Sequence, residues 1–245
     1  MRIDGRNNDE IRPMKITRNF TKYSRGSVLI EMGDTKVICT ATVEDKVPGF
    51  LKGTGKGWVT AEYNMLPSST QTRKTRDITR LKVDGRSSEI QRLVGRSLRS
   101  VMNLNVLGER TIWIDCDVIQ ADGGTRCASI TGAFVALVDA INSIDREVEF
   151  NTYPLSGMVS AVSAGIRDHE IILDLCYEED SSADVDMNVI MNDKGEFIEL
   201  QGTGEERPFT AMELTELIEK ATKGNQDIQR QIRELMDDDL KKVVS

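Results

Sequence analysis

Apolar and polar positions alternate over residues 27–31 and again over 35–43, with Gly33-Asp34 between them. That pattern predicts a two-strand hairpin closed by a tight turn. Residues 48–57, rich in glycine and lysine, predict a loop, and residues 57–63 a further strand. From 67 to 76 hydroxyl and cationic side chains follow one another without a period, which predicts a long exposed loop. A helix is predicted next, capped by Ser87 or Ser88, with Glu89 in its first turn and Ile90, Leu93, Val94, Leu98 and Val101 on its apolar face. Arg92, Arg96 and Arg99 fall at i, i+4 and i+7 and make a basic stripe on another face. Residues 111–120, apolar and rich in isoleucine, predict a buried strand that ends at 121–126. A second helix over about 127–142 would turn Ile130, Ala133, Phe134, Leu137, Val138 and Ile141 inward.

The second half predicts strands near 156–165, 170–177, 184–191 and 196–202, then two helices, about 210–223 and 226–242. Strands cluster and helices follow in both halves. The order predicts a layered α/β (α+β) fold of two similar units packed together, one domain over residues 1–245.

Composition narrows the class. The hydrophobic share is 39% and the charged share 29%, the balance of a soluble globular chain. No apolar run of bilayer length stands out and no apolar segment follows the first residues, so the expectation is a cytoplasmic protein without a membrane partner. Cys39, Cys116, Cys127 and Cys176 form no C-x-x-C pair and are expected to be buried and reduced. The one histidine, His169, lies between Asp168 and Glu170 in a predicted turn, so acid–base or metal chemistry falls to carboxylates. The formal net charge is −8, yet residues 52–99 hold eleven cations against four anions. Such a segment is either a segregated basic surface on an acidic body or a solvated helix face plus a charged loop.

Three constellations carry chemistry. Asp122-Gly123-Gly124-Thr125-Arg126 joins a predicted strand to a predicted helix. Its glycines admit close backbone approach, and free N–H groups at the helix start, a hydroxyl and a guanidinium are the parts of an oxyanion site. A plain chain reversal would use the same glycines. Asp84-Gly85-Arg86 precedes the first long helix, and Arg86 either clamps the same anion or is an ordinary surface arginine. Across residues 178–189, Val185, Met187 and Val189 alternate with Asp184, Asp186 and Asn188, and Asp180 stands in the turn before them. These oxygen ligands suit Mg²⁺, and the alternative is a solvated acidic hairpin. Together the three fit phosphoryl transfer from RNA to inorganic phosphate, with cations placing the nucleophile and carboxylates or Mg²⁺ serving the leaving 3′-oxygen. Aromatic residues are only 5% of the chain, so binding is expected to rest on the RNA backbone.

Several motifs, in order, resemble the bacterial ribonuclease PH family over residues 1 to 240. They are Arg2-Ile3-Asp4-Gly5-Arg6 with Glu10-Ile11-Arg12-Pro13, then Gly33-Asp34-Thr35-Lys36-Val37, and Ala61-Glu62-Tyr63-Asn64-Met65-Leu66-Pro67. Asp84-Gly85-Arg86, Gln120-Ala121-Asp122-Gly123-Gly124-Thr125-Arg126, and the spacing from Asp180 to Asp186 complete the set. The resemblance implies a ribosomal-protein-S5-domain-2-like fold that forms a ring, a homohexamer built as a trimer of dimers. It implies phosphorolytic 3′→5′ trimming of tRNA precursors and other RNA 3′ ends, with release of nucleoside diphosphates, and the reverse addition from them. It further implies that Arg86, Gly124, Thr125 and Arg126 hold phosphate, that Asp180 and Asp186 bind Mg²⁺ or act on the leaving oxygen, and that Arg73 and Arg76 touch tRNA.

Two relatives of the same fold stay in view: a catalytic subunit of an exosome-type ring, and a ring subunit that binds RNA without chemistry. The chain is too short for polynucleotide phosphorylase, and the second alternative is at odds with the arginines and aspartates retained here. A phosphate-binding module without catalysis is the reading from outside the family.

Overall fold

The computed structural model describes residues 2–82 and 84–243; the side chain of Arg80, counted among the loop cations, lies outside the described set. A five-stranded sheet has the order β1-β2-β3-β5-β4, from β1 (Met14–Arg18), β2 (Gly26–Met32), β3 (Thr35–Glu44), β4 (Trp58–Met65) and β5 (Thr111–Gln120). All its pairs are antiparallel except β4 with β5. A four-stranded antiparallel sheet has the order β7-β6-β8-β9, from β6 (Val159–Arg167), β7 (Glu170–Leu173), β8 (Val185–Asn192) and β9 (Phe197–Gly204).

Helices fill the spaces between and behind the sheets. The long ones are α2 (Gly85–Ser100), α4 (Thr125–Val148) and α6 (Ala211–Leu240); α1 (Asp77–Arg80), α3 (Leu104–Leu107) and α5 (Tyr177–Asp180) are single turns. α2 and α4 pack side by side on the first sheet, α4 also packs on the second, and α6 covers that sheet from the other side. The layers therefore run sheet, helices, sheet, helix, the layered α/β arrangement expected from the order of elements. The hairpin β2–β3 and the strand β5 lie where the pattern puts them.

α4 is the shared core. Ile130, Ala133, Phe134, Leu137, Val138 and Ile141 are all fully buried. Against the expectation from the sequence it is long and apolar enough to cross a bilayer, yet 89% of its apolar stretch is buried inside the protein. A helix that is apolar all round is what a position between two sheets requires.

Four other expectations change. α2 starts at Gly85 with Asp84 as its N-cap residue, not at Ser87 or Ser88, and Glu89 lies beyond its first turn. Its basic stripe is largely committed: Arg96 pairs with Glu199 at 2.8 Å, and Arg99 lies 4.5 Å over the Trp58 ring and donates to the Val59 carbonyl. The two predicted C-terminal helices are one, because the apparent Gly224-Asn225 break is packed inside. Asn225 is buried, donates to the carbonyls of Val189 and Ala221 at 3.1 Å each, and accepts from Ser160 at 2.7 Å. The irregularity in α6 comes later, at Met236. The strand predicted over 170–177 stops at Leu173, and the chain then bends into α5.

Candidate active site

The turn from β5 to α4 sets the position of the site. Gly123 and Gly124 both have positive φ, 71° and 62°, and Gly124 is the residue before α4. A Cβ on Gly123 would meet the Leu175 carbonyl oxygen at 2.5 Å. Only a residue without a side chain lets this turn lie against the 174–177 segment, so the two glycines do more than reverse the chain. Thr125 opens the helix, and its hydroxyl shares a 2.9 Å hydrogen bond with the buried hydroxyl of Tyr63 on β4.

A cavity of about 570 Å³ opens beside this turn. Its wall includes Gly123, Gly124, Thr125, Arg86, Asp180 and, from the 67–76 loop, Arg73. The structure thus brings together residues from four separate motifs. Arg126 and Asp186 are not on that wall. Arg126 donates to Gln201 of β9 and approaches Glu89 of α2 at 3.5 Å. Arg76 lines a separate cleft of about 240 Å³ with Asn64 and Asp117. Arg73, for which the resemblance implies a contact with tRNA, lines the same cavity as Arg86 and Asp180.

Asp180 ends the helical turn α5, and Asp186 lies on β8, on the face that looks toward α4. That face is not a solvated hairpin: Asn188, two residues on, is buried and accepts from the Cys127 thiol at 3.2 Å. Desolvation by the surrounding protein raises both carboxyl groups above the ordinary aspartate range, at Asp186, which is half-buried, and at Asp180, part of whose surface stays exposed. Arg86 and Arg126 oppose the rise at Asp180, whereas the charges of Asp180 and Glu205 add to it at Asp186. One oxygen of Asp186, Oδ1, is buried with no hydrogen-bond partner among the described residues. Two crowded carboxylates and an unpartnered buried oxygen fit a small hard cation that takes one or two carboxylates and fills its shell with water and phosphate oxygens. Among the described residues no group of three or more potential metal ligands forms.

The arginines that hold this site in place lie in the opening motif of the resemblance, which assigns them no role. Arg2 is buried and forks onto Glu179, with Nε at 2.8 Å and Nη2 at 2.6 Å, and donates to the Leu173 and Asp174 carbonyls. Arg12 is buried too; it clasps Asp174 through Nε at 3.0 Å and Nη2 at 2.7 Å and donates to the Asp122 carbonyl. The N-terminal segment is therefore a strap that ties the glycine turn to the acidic segment. Burial would raise Asp174, but the charge and hydrogen bonds of Arg12 outweigh it and hold the group below the usual range. The signal was present as Arg2, Arg6 and Arg12 in a stretch without hydrophobic period, where such density of cations has no helix face to solvate.

The loop over 67–76 is exposed but tied down. Ala121 N donates to the Ser69 carbonyl at 2.8 Å, Lys74 N to the Pro67 carbonyl at 2.8 Å, and Lys74 Nζ pairs with Asp84 at 3.1 Å. Cys39, Cys116, Cys127 and Cys176 are free and buried, as expected; burial pushes Cys127 up to about 12, so its thiol is inert. His169 stays in the β6–β7 turn, outside the site.

Three solved structures share this architecture. Rice (Oryza sativa) Rrp46 aligns with TM-score 0.77 and 21% identity, covering 96% of this chain and 100% of its own. A chain of the Archaeoglobus fulgidus exosome with RNA bound to the active site aligns with TM-score 0.80 and 20% identity, covering 94% and 92%. A chain of an archaeal exosome core gives TM-score 0.74 and 20% identity, covering 97% and 91%. At these identities the likeness establishes the fold, the ribosomal-protein-S5-domain-2-like architecture of two sheets with helices between and behind. Residues 10–141 match the 3′ exoribonuclease family, domain 1, and residues 157–224 match domain 2. With both domains matched across most of its length, the chain belongs to the 3′ exoribonuclease family.

Proposed function

We propose that this protein is a phosphorolytic 3′→5′ exoribonuclease that passes the terminal nucleotide of RNA to inorganic phosphate. The observation that carries the reading is the meeting of Arg86, Gly124, Thr125 and Asp180 around one cavity, from segments far apart in sequence. Gly124 N–H and Thr125 at the start of α4, with Arg86 beside them, bind the attacking phosphate. Arg126, one residue further on, shares its guanidinium between Gln201 and Glu89 until phosphate competes for it. An oxygen of that phosphate attacks the terminal phosphorus, the bond from phosphorus to the penultimate 3′-oxygen breaks, and a nucleoside 5′-diphosphate leaves. The freed 3′-oxygen takes a proton beside Asp180 and Asp186. Mg²⁺ held by Asp180 and Asp186 would neutralise charge developing on the transferring phosphoryl group.

The fold likeness to exosome chains favours a catalytic ring subunit acting on RNA 3′ ends at large over an enzyme devoted to tRNA. One of those chains comes from an exosome with RNA bound to the active site, which supports RNA as the ligand here. Trimming of tRNA precursors and the homohexamer rest on the motif resemblance and the Arg73–Arg76 loop. A ring subunit without chemistry is disfavoured by the presence of Arg86, Arg126, Asp180 and Asp186. The reduced, buried cysteines support a cytoplasmic setting.

The deciding experiment separates the products of 3′-labelled RNA with and without phosphate. Nucleoside diphosphates that appear only with phosphate support the reading. Nucleoside monophosphates at the same rate without phosphate would make the enzyme a hydrolase. Particle mass, with tRNA precursors compared against unstructured RNA, then separates the two ring readings.

A further inference from the structure

Tyr177 is the one aromatic side chain among the described residues that line the catalytic cavity. It opens the turn α5 that ends in Asp180, and about half of its surface, 48%, is exposed. The chain makes no use of the ring that is visible in the fold. No other ring and no cation packs on it, and its hydroxyl has no hydrogen bond among the described residues. Its backbone, in contrast, is fixed on every side. Tyr177 N donates to Asp122 Oδ1 at 3.2 Å, its carbonyl accepts from Ser181 N at 2.9 Å, and Glu179 of the same turn is locked to Arg2. An apolar ring on a rigid mount, open to a polar cavity, loses surface to water without gain to folding. Such a surface is suited to a ligand's flat face.

The neighbours say which ligand. On the same wall stand Gly124 and Thr125, which bind the phosphate, and Asp180, which faces the leaving oxygen. At about 570 Å³ the cavity is of the size that holds a nucleotide-scale ligand. On the phosphorolytic reading, a nucleotide with its phosphate at Gly124–Thr125 lays its base or sugar along the remaining wall, and Tyr177 is the aromatic group there. We propose that the Tyr177 ring is the stacking surface for the terminal nucleotide, setting affinity for the RNA 3′ end without choosing among bases. A π-face is common to all four bases, so stacking on it does not choose among them. The scarcity of aromatic residues does not leave the site without a stacking group; it leaves it with one.

The test compares Tyr177→Ala, Tyr177→Trp and Tyr177→Phe in the full chain, on short oligonucleotides of each base. Tyr177→Ala raises the KM for RNA by about 10- to 100-fold on all four. It raises the KM for nucleoside diphosphate in the reverse reaction likewise, and the KM for phosphate stays within about twofold, as stacking predicts for a ring that does not itself hold the nucleophile. Tyr177→Trp and Tyr177→Phe restore RNA affinity, because the ring and not the hydroxyl is what acts. An unchanged RNA KM in the alanine variant overturns the inference. So does an equal rise in phosphate KM, which would mean a distorted turn, a phenylalanine variant as weak as alanine, or a changed particle mass, which would make the residue an interface. If the wild-type protein releases no nucleoside diphosphate, it is the phosphorolytic reading that fails. Anisotropy of labelled RNA with the wild-type and alanine proteins, run without phosphate, then still decides whether the ring binds the 3′ end.

Discussion

Between residues 174 and 186 the chain holds two pairs of carboxylates in opposite states. Asp174 and Glu179 are each gripped by an arginine of the N-terminal strap, and both are held below their ordinary range against the effect of burial. Asp180 and Asp186 are gripped by no arginine of the strap; desolvation raises both above the ordinary range, and the charge of Asp180 adds to the rise at Asp186. The two pairs are separated by a single peptide bond at Glu179–Asp180. Local sequence composition therefore does not decide the state of a carboxylate here; the partner brought from far away does. The satisfied pair fastens the wall of the cavity, and on the proposed function the unsatisfied pair serves a substrate or a cation.

The comparison breaks first at Asp186. Asp186→Asn keeps the shape of the side chain and removes the charge, so RNA phosphorolysis should fall by about 10³-fold in kcat. Circular dichroism, particle mass and RNA affinity should stay near wild type, since the group has an unpartnered oxygen and holds nothing else in place. Wild-type turnover at saturating Mg²⁺ would move Asp186 to the structural side of the divide.

Arg12→Met tests the other pair. It leaves Asp174, which is 1% exposed, as a buried charge without its hydrogen-bonded partner, with only Arg6 near it at 3.7 Å. Breaking such a pair costs about 3–5 kcal/mol. Thermal unfolding should drop by about 10 °C for a chain of this size. pH adds a second readout. Because the folded-state pKa of Asp174 is lowered, its contribution is complete above the unfolded value near 3.8 and is lost as pH falls through the lower folded value. Asp174→Asn should therefore flatten the acid limb of the stability curve below about pH 4. A loss under about 1 kcal/mol in Arg12→Met would show that the strap is dispensable.

What could be read from the sequence follows the same division. Strands β2, β3 and β5 and the inward face of α4 are set by local alternation and period, and they lie where the pattern puts them. Gly124, Thr125, Arg86 and Asp180 were legible because each sits in a short motif with its own chemistry. The strap was not, because Arg2 and Glu179 are 177 residues apart and only the fold makes them neighbours. The continuous α6 was missed for a related reason. Gly224-Asn225 is a helix-ending pair by propensity, and the buried hydrogen bonds of Asn225 to β6 and β8 override it. α5 was missed because four residues are too few to show a period.

Arg126 tests the link between the two kinds of residue, since it is the second residue of α4, next to the proposed phosphate site, but is held by Gln201 and Glu89. Arg126→Ala should lower kcat/KM for phosphate by about 10²-fold, with partial rescue at high phosphate. Arg126→Lys should recover only part of that, because one ammonium cannot serve two partners as a fork does. Unchanged kinetics in the alanine variant would assign Arg126 to the β9–α2 contact alone.

The smallest effect is expected in the 67–76 loop, where position and role can be pulled apart. Arg73 borders the catalytic cavity, whereas Arg76 faces the neighbouring cleft, and both are exposed. If the loop positions RNA through its backbone, each arginine contributes a phosphate contact that salt weakens. Arg76→Ala should then raise KM for structured tRNA precursors by about 3- to 10-fold and leave short single-stranded RNA unaffected, because only a larger RNA reaches its cleft. Arg73→Ala should weaken both substrates, because its side chain lines the cavity that the proposed function gives to the RNA 3′ end. Each variant should reduce the salt slope of binding by about one unit for the affected RNA. The fold-change separates the two arginines only if the loop keeps its ties at Ser69 and Lys74, so the particle mass and melting temperature of each variant are measured alongside. Equal losses on both substrates in Arg76→Ala would mean that the loop acts as one unit on the cavity. No loss in either variant would reduce these arginines to solubilising charges on a surface turn.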